Sequence, residues 1–245
     1  MSKSRTNFRL IFAFIIASLF SRVYSATMLD VVDTPTAYTL MKGEFNVSIW
    51  GYNNGGLLTR ATVGLHDNIY LGASFDIENL IGEDEAKFNI PGVIARVKLT
   101  DGWESFPLLI ALGYDAFYSV GAQETNPGEN VNSRLIFGPY FVITKPMYFW
   151  EQEQHFSLGV RLPVQPVYAP EDTSLFISID VPIGQFVPMF EIEKIFFNGN
   201  RFSETLFNVG FRFYLYENFA IEMNFMLNVD QPANRILTFD YIGNF

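Results

Sequence analysis

The chain has two histidines, His66 and His155, and no cysteine. A multi-histidine or cysteine-ligated metal centre is therefore excluded. One arrangement has a catalytic reading. In His155-Phe156-Ser157 the histidine and serine stand two residues apart, so on a β-strand they share a face. There the imidazole could serve as general base toward the hydroxyl in ester hydrolysis, with an acid or amide orienting the ring; no Asn, Asp or Glu is obvious at matching depth on the adjoining strand, Asp180 being the one candidate, which counts against the reading. His66 adjoins Asp67 and reads as a turn residue. No phosphate-cradling glycine loop, paired catalytic carboxylates or zinc helix motif is present, and no cofactor or metal is expected. Asn54-Gly55-Gly56 is a β-turn signal. The acidic run Glu83-Asp84-Glu85 lacks the spaced oxygen ligands and fixed glycine of a calcium loop and reads as a solvated loop.

What positions these residues is legible in the composition. The 245 residues are 49% hydrophobic, 17% aromatic and 17% charged, with 26 Phe and 12 Tyr against 16 Lys plus Arg. Soluble domains carry roughly 25% charged residues. So aromatic and charge-poor a chain is not disordered. Its net charge of −10 argues against nucleic acid as a partner, which would require a basic stripe.

Lys3, Arg5 and Arg9 precede an apolar run from Leu10 to Phe20, and Val23 and Ser25 suit a small-residue cleavage site. The pattern predicts a signal peptide over residues 1–25, removed after Ser25. The run is shorter than the roughly 20 residues of a membrane helix. The leader holds four of the 16 bases and none of the 26 acids, so the mature chain keeps 12 bases and a net charge of −14. Residues 26–42 are not periodic; they are expected to plug the periplasmic mouth of the domain downstream or to pack inside it.

From Gly43 onward the dominant signal is alternation with period two. Ile69, Leu71, Ala73, Phe75 and Ile77 share one face, and Tyr70, Gly72, Ser74 and Asp76 the other. Phe207, Val209, Phe211, Phe213 and Leu215 lie opposite Asn208, Gly210, Arg212 and Tyr214. Twelve such segments are predicted, over 44–52, 57–66, 69–78, 91–101, 106–117, 133–145, 155–165, 173–182, 187–197, 204–216, 218–229 and 234–245. Their connections alternate between tight (His66–Asn68, Glu217–Asn218) and long (Glu78–Ile90, Ser119–Asn132). An even count of 9–11-residue strands with short and long connections in turn is the plan of a transmembrane β-barrel. Lys145–Gln154 is the exception, a connection expected to be short that reads as long. Pro139, Pro163, Pro166, Pro182 and Pro188 crowd the middle strands, widening the count to 10–14, and Pro163 and Pro166 should end the seventh strand early.

The fold expected over 43–245 is thus all-β, a closed antiparallel transmembrane barrel of about 12 strands with apolar faces toward lipid. Lipid offers no hydrogen-bond partners, and a closed sheet satisfies its own backbone. An exported soluble β-barrel or sandwich is the rival. Its surface would be poor in Lys, and its interior overfilled with Phe and Tyr. Trp103, Trp150, Tyr148 and Phe149 fall in the expected periplasmic turns, where an aromatic girdle belongs. The same alternation turns Phe156, Leu158, Val160 and Leu162 toward lipid and His155 and Ser157 inward, away from the acyl chains a lipid hydrolase must reach. The expectation is that the chain is not an enzyme.

The last residue is Phe245, with Leu237, Phe239 and Tyr241 on its face. In this the chain resembles outer-membrane β-barrel proteins of diderm bacteria, in which such a C-terminal strand is the signal read by the barrel-assembly machinery. Val63–Gly82, Ile90–Leu99, Pro107–Phe117 and Tyr140–Pro146 look like an uncharacterised group of outer-membrane barrels similar to the barrel part of the YjbH-like exopolysaccharide-associated proteins. The resemblance implies a bacterial outer-membrane location with lipid and the assembly machinery as partners. It brings no catalytic residues.

With the apolar faces outward, the charges expected to line the lumen are the acids Glu44, Asp76, Asp115, Asp180, Glu191, Glu193, Glu222 and Asp240 and the bases Arg60, Arg96, Lys98, Arg134, Arg161 and Arg212. They suit either a salt-bridged interior that stiffens the wall or a water-filled pore with a weak preference for cations. The leading reading is a small, weakly cation-preferring pore or a structural barrel, with small solutes or polysaccharide as candidate partners. The alternative is an accessory protein of exopolysaccharide secretion or surface assembly, and the third an outer-membrane lipid hydrolase using His155 and Ser157.

Overall fold

A computed structural model of the chain describes residues 28–83, 85–103, 106–118, 135–149, 152–164, 170–197, 202–228 and 233–245. The leader expected over 1–25 lies outside them. Thirteen strands form among the described residues: β1 Glu44–Tyr52, β2 Gly56–His66, β3 Ile69–Glu78, β4 Lys87–Phe88, β5 Gly92–Trp103, β6 Phe106–Tyr118, β7 Leu135–Phe149, β8 Gln152–Arg161, β9 Ser174–Asp180, β10 Phe186–Phe196, β11 Leu206–Tyr216, β12 Phe219–Asn228 and β13 Asn234–Asn244. Twelve of them make a closed antiparallel barrel. β13 returns to β1, from Glu44 opposite Asn244 to Gly51 opposite Leu237, and β2 pairs with β1 and β3. Two-residue β4 sits outside that count, pairing only with the far end of β3. Closure satisfies the backbone groups that an open sheet would leave along two edges.

The pleat separates the side chains. On β2, Leu58, Arg60 and Thr62 are buried while Ala61 and Leu65 are exposed; on β12, Ala220, Glu222, Asn224 and Met226 are buried while Met223 and Leu227 are exposed. In a closed barrel the buried face is the interior. The outer face carries large exposed apolar side chains all the way round, among them Leu71, Phe75, Leu112, Leu158, Phe190 and Phe239. Trp103, Tyr148, Phe149 and Tyr216 stand exposed at the end of the barrel where β1 begins and β13 ends. The first three therefore belong to strand ends rather than turns; Trp150 lies outside the described residues.

The middle strands correct one expectation. Lys145–Gln154 is not a long connection: β7 and β8 stay paired from Tyr140 opposite Arg161 to Phe149 opposite Gln152, through Pro146 opposite His155. Pro139 and Pro188 lie within β7 and β10, and their carbonyls accept from Leu162 N and Val181 N. β8 ends at Arg161, before Pro163; Pro166 lies outside the described residues.

The interior is not empty. Residues 28–40 lie within the barrel, most of them fully buried. Met28, Val31 and Val32 pack with inward Trp50, Leu58, Met189 and Met226. Ala37 packs with Ala111, Tyr140, Val142 and Phe176, and Leu29 and Leu40 with Tyr70 and Ile94. The inward faces thus hold apolar side chains where this segment lies against them, rather than polar groups throughout. The chain leaves the interior through Gly43, whose φ of 88° suits glycine. Its N–H donates to Gly64 O and its carbonyl accepts from Phe245 N, pinning the exit between β2 and the last residue.

Candidate functional site: the occupied lumen

Residues 29–36 form a small hairpin inside the barrel. Asp30 bridges Pro35, Val31 N donates to Thr34 O at 3.0 Å, and Thr36 N to Leu29 O at 3.0 Å. Two sets of wall residues hold it. At the tip, Glu191 on β10 accepts from the backbone N–H groups of Val32 (3.1 Å), Asp33 (3.2 Å) and Thr34 (3.1 Å) and from the Thr34 hydroxyl (2.7 Å). Asn208 on β11 donates to the same carboxylate at 2.6 Å. A carboxylate that gathers several N–H groups replaces the water they gave up, and such charge-assisted bonds are the strong ones. At the base, Asp30 accepts from Arg60 Nη1 at 2.8 Å and Arg96 Nη2 at 3.0 Å. Arg96 also donates to the carbonyls of Leu29 (2.8 Å) and Tyr38 (2.9 Å), and Arg212 to the carbonyl of Asp30 at 3.1 Å. The planar guanidinium suits this work, since it carries several fixed donors. Arg96 is wholly buried, its Nε on the Tyr140 hydroxyl and its guanidinium 5.0 Å from the Tyr70 ring centroid.

Beside Asp30 lies a small pocket, no larger than a water or so, lined by Asn46, Trp50, Arg60, Arg212, Glu222 and Asp240 among others. Here Arg212 pairs with Glu222 directly across β11 and β12, and Asn46 donates to Asp240 at 2.7 Å.

The sequence-predicted lumen charges fall as follows. Arg60, Asp76, Arg96, Asp115, Arg161, Asp180, Glu191, Glu193, Arg212 and Glu222 are buried. Arg161 stands 3.8 Å from Asp115 and 3.6 Å from Glu193. Asp76 accepts from the Tyr52 hydroxyl and from Asn89. Asp240 is half-buried. Glu44 stands at the mouth, on Met41 N at 2.7 Å, and Lys98 pairs with exposed Asp101. Arg134 lies outside the described residues. Asp30, Asp33, Thr34, Tyr38, Tyr140 and Thr144 escape a sequence search for charges on strand faces, because most precede the first strand and the rest are uncharged. The one signal was a turn-rich stretch, Asp30 to Thr36, inside a segment without periodicity.

His155 faces inward beside Asp180, its cross-strand partner, with Nδ1 2.8 Å from Asp180 Oδ2. Its Nε2 lies 3.6 Å from Glu153, and the Tyr38 ring meets it edge-on at 4.9 Å. Asp180 does stand at the right depth to orient the imidazole. Ser157 does not complete the set: it is fully buried, its Oγ 2.8 Å from Thr144 Oγ1, which accepts from Ala37 N at 2.8 Å. The serine is turned from the lipid and covered by the N-terminal segment. Among the described residues no group of acids and histidines could hold a metal ion. Leu237, Phe239, Tyr241 and Phe245 are exposed on the outer face.

This is a closed antiparallel twelve-stranded barrel with an apolar exterior and an occupied interior, the fold of porins. Among solved structures it is similar to a KdgM porin, with 11% identity over 81% of this chain and 98% of that one and a TM-score of 0.51. It also aligns with a KdgM porin in complex with disordered oligogalacturonate (12% identity, 81% and 98% coverage, TM-score 0.49) and with Omp33 of Acinetobacter baumannii (9%, 82% and 97%, 0.45). No known protein family matches the chain, and no curated protein matches it. The narrower likeness to exopolysaccharide-associated barrels thus has no support from these comparisons.

Proposed function

We propose that the chain is a bacterial outer-membrane channel whose lumen is occupied, and in this state closed, by its own residues 28–40. The location follows from the exterior. A continuous apolar surface on a closed barrel is costly in water and at home in lipid, and the leader of residues 1–25 would export the chain. Both barrel ends of the chain then lie in the periplasm, and Leu237, Phe239, Tyr241 and Phe245 present the assembly signal. The observation that carries the gating is the attachment of the segment: apolar packing and polar bonds to Glu191, Arg60, Arg96, Arg212 and Thr144, rather than strand pairing with the wall, hold it. Such a segment can leave without opening the wall.

When it leaves, seven inward acids (Asp76, Asp115, Asp180, Glu191, Glu193, Glu222 and Asp240) face five bases (Arg60, Arg96, Lys98, Arg161 and Arg212). The open lumen should therefore prefer cations weakly. Planar-bilayer recording tests both parts. The full chain should conduct little. Deletion of 28–40, or Glu191→Ala where deletion costs too much core, should give stepwise currents with a reversal potential shifted toward the cation. A folded variant that never conducts would remove the channel reading.

A further inference from the structure

The tip of the hairpin carries a carboxylate without a partner. Asp33 is 1% exposed, and among the described residues no donor reaches either of its carboxylate oxygens. Its backbone N–H is tied to Glu191 at 3.2 Å, so docking of the segment sets this side chain against the inner face of β10. The charged groups around it are Glu193 and Glu191 of β10, Arg161 of β8 and Arg60 of β2. Both arginines already face other acids. Arg60 is bonded to Asp30 at 2.8 Å, and Arg161 stands 3.6 Å from Glu193 and 3.8 Å from Asp115 of β6. Asn208 donates to Glu191 at 2.6 Å and to Glu193 at 3.1 Å, which ties the two wall carboxylates together. Glu191 has the N–H groups of the segment and Glu193 has Arg161; Asp33 has neither. A third carboxylate set beside two others, out of water and without a donor, is costly to keep as an anion. A neutral carboxyl in the same place has a proton to donate. Oε2 of Glu193, buried and without a hydrogen-bond partner, is an acceptor on the facing strand.

We propose that docking of residues 28–40 takes up one proton, held on Asp33 against Glu193, so that acid closes the lumen and rising pH releases the segment. This rests on the closed-channel reading and adds what controls it. Once the segment leaves, Asp33 meets water and titrates as an ordinary aspartate, at about pH 4. Docking is therefore at full strength below about pH 4 and weakens as pH rises, because the docked state binds the extra proton. For one proton the docking equilibrium changes by up to about tenfold per pH unit.

The test follows the segment without conduction. The full chain in detergent, with Trp103→Phe and Trp150→Phe, keeps Trp50 as its only tryptophan. Trp50 is 3% exposed and packs in one cluster with Met28, Val31 and Val32, so acrylamide reaches it when the segment has left. Quenching should be weak at pH 5 and rise several-fold by pH 8. Asp33→Asn keeps the shape and removes the charge, and should stay weakly quenched throughout. Asp33→Ala, a second variant without the carboxylate, should also lose the pH dependence; heat-modifiable gel mobility confirms that each is folded. Quenching of the parent that does not move with pH would overturn the switch. So would a pH dependence that survives both substitutions, which would put the proton on another group, such as His155 beside Tyr38. Quenching that follows pH and Asp33 in a chain that never conducts would keep the switch and refute the channel.

Discussion

The Thr34 hydroxyl lies 2.7 Å from Oε2 of Glu191, 157 positions further along the chain. That contact, with the three backbone N–H groups beside it, ties an irregular N-terminal segment to the tenth strand of the barrel. Removing the carboxylate strands four buried donors at once. Glu191→Ala should weaken docking of residues 28–40 by about 3 kcal/mol, the scale for breaking a buried charge-assisted network. The closed–open equilibrium would then shift on the order of a hundredfold. Single-channel open probability reads this; a variant as quiet as the parent would show that Glu191 is not the latch.

A covalent latch should do the reverse. Ala37 N donates to Thr144 Oγ1 at 2.8 Å, so the two backbones run close together, and the parent chain has no cysteine to interfere. An Ala37→Cys, Thr144→Cys pair should oxidise and stay closed even with Glu191→Ala present, and reductant should restore the currents. Identical conductance before and after reduction of a demonstrated disulfide would rule out departure of this segment as the opening step.

Ser157→Ala should leave phospholipid hydrolysis at the background of the parent protein, since the hydroxyl is spent on Thr144 inside the barrel. Its cost should be about 1 kcal/mol of stability, the worth of one neutral hydrogen bond. Hydrolysis by the parent that the substitution abolishes would reopen the catalytic reading of His155 and Ser157.

The C-terminal strand carries a separate prediction. Phe245 is exposed outside the barrel, its ring near that of Phe45 on β1 at 6.5 Å, while its N–H is held by Gly43 O. If residues 237–245 serve as an assembly signal, Phe245→Ala should lower the yield of assembled protein in the outer membrane several-fold while refolding of purified protein into detergent changes little. Quantitative immunoblotting of membrane fractions against in vitro refolding separates the two; equal losses in both would make Phe245 a stability residue only.

The wall of this protein is written locally. Side chains on a strand alternate because the pleat alternates, so Ile69 to Ile77 and Phe207 to Leu215 declare their outward face without reference to any other part of the chain. Strand number, connection lengths and apolar exterior follow from the same rule. It misleads around Lys145–Gln154, where the β7–β8 pairing continues through the stretch that reads as a connection, and on the inward faces that hold apolar side chains against residues 28–40. The contents of the lumen are not local. Residues 28–40 have no period, and their partners lie on strands across most of the sequence: Arg60, Arg96, Thr144, Glu191 and Arg212. Charge balance suggests a paired interior, but not that Asp30, outside every strand, pairs with Arg60 and Arg96. That is decided by closure of the barrel, which brings distant strands around one enclosed, low-dielectric space. There each buried donor and acceptor must find its partner by proximity in space rather than in sequence.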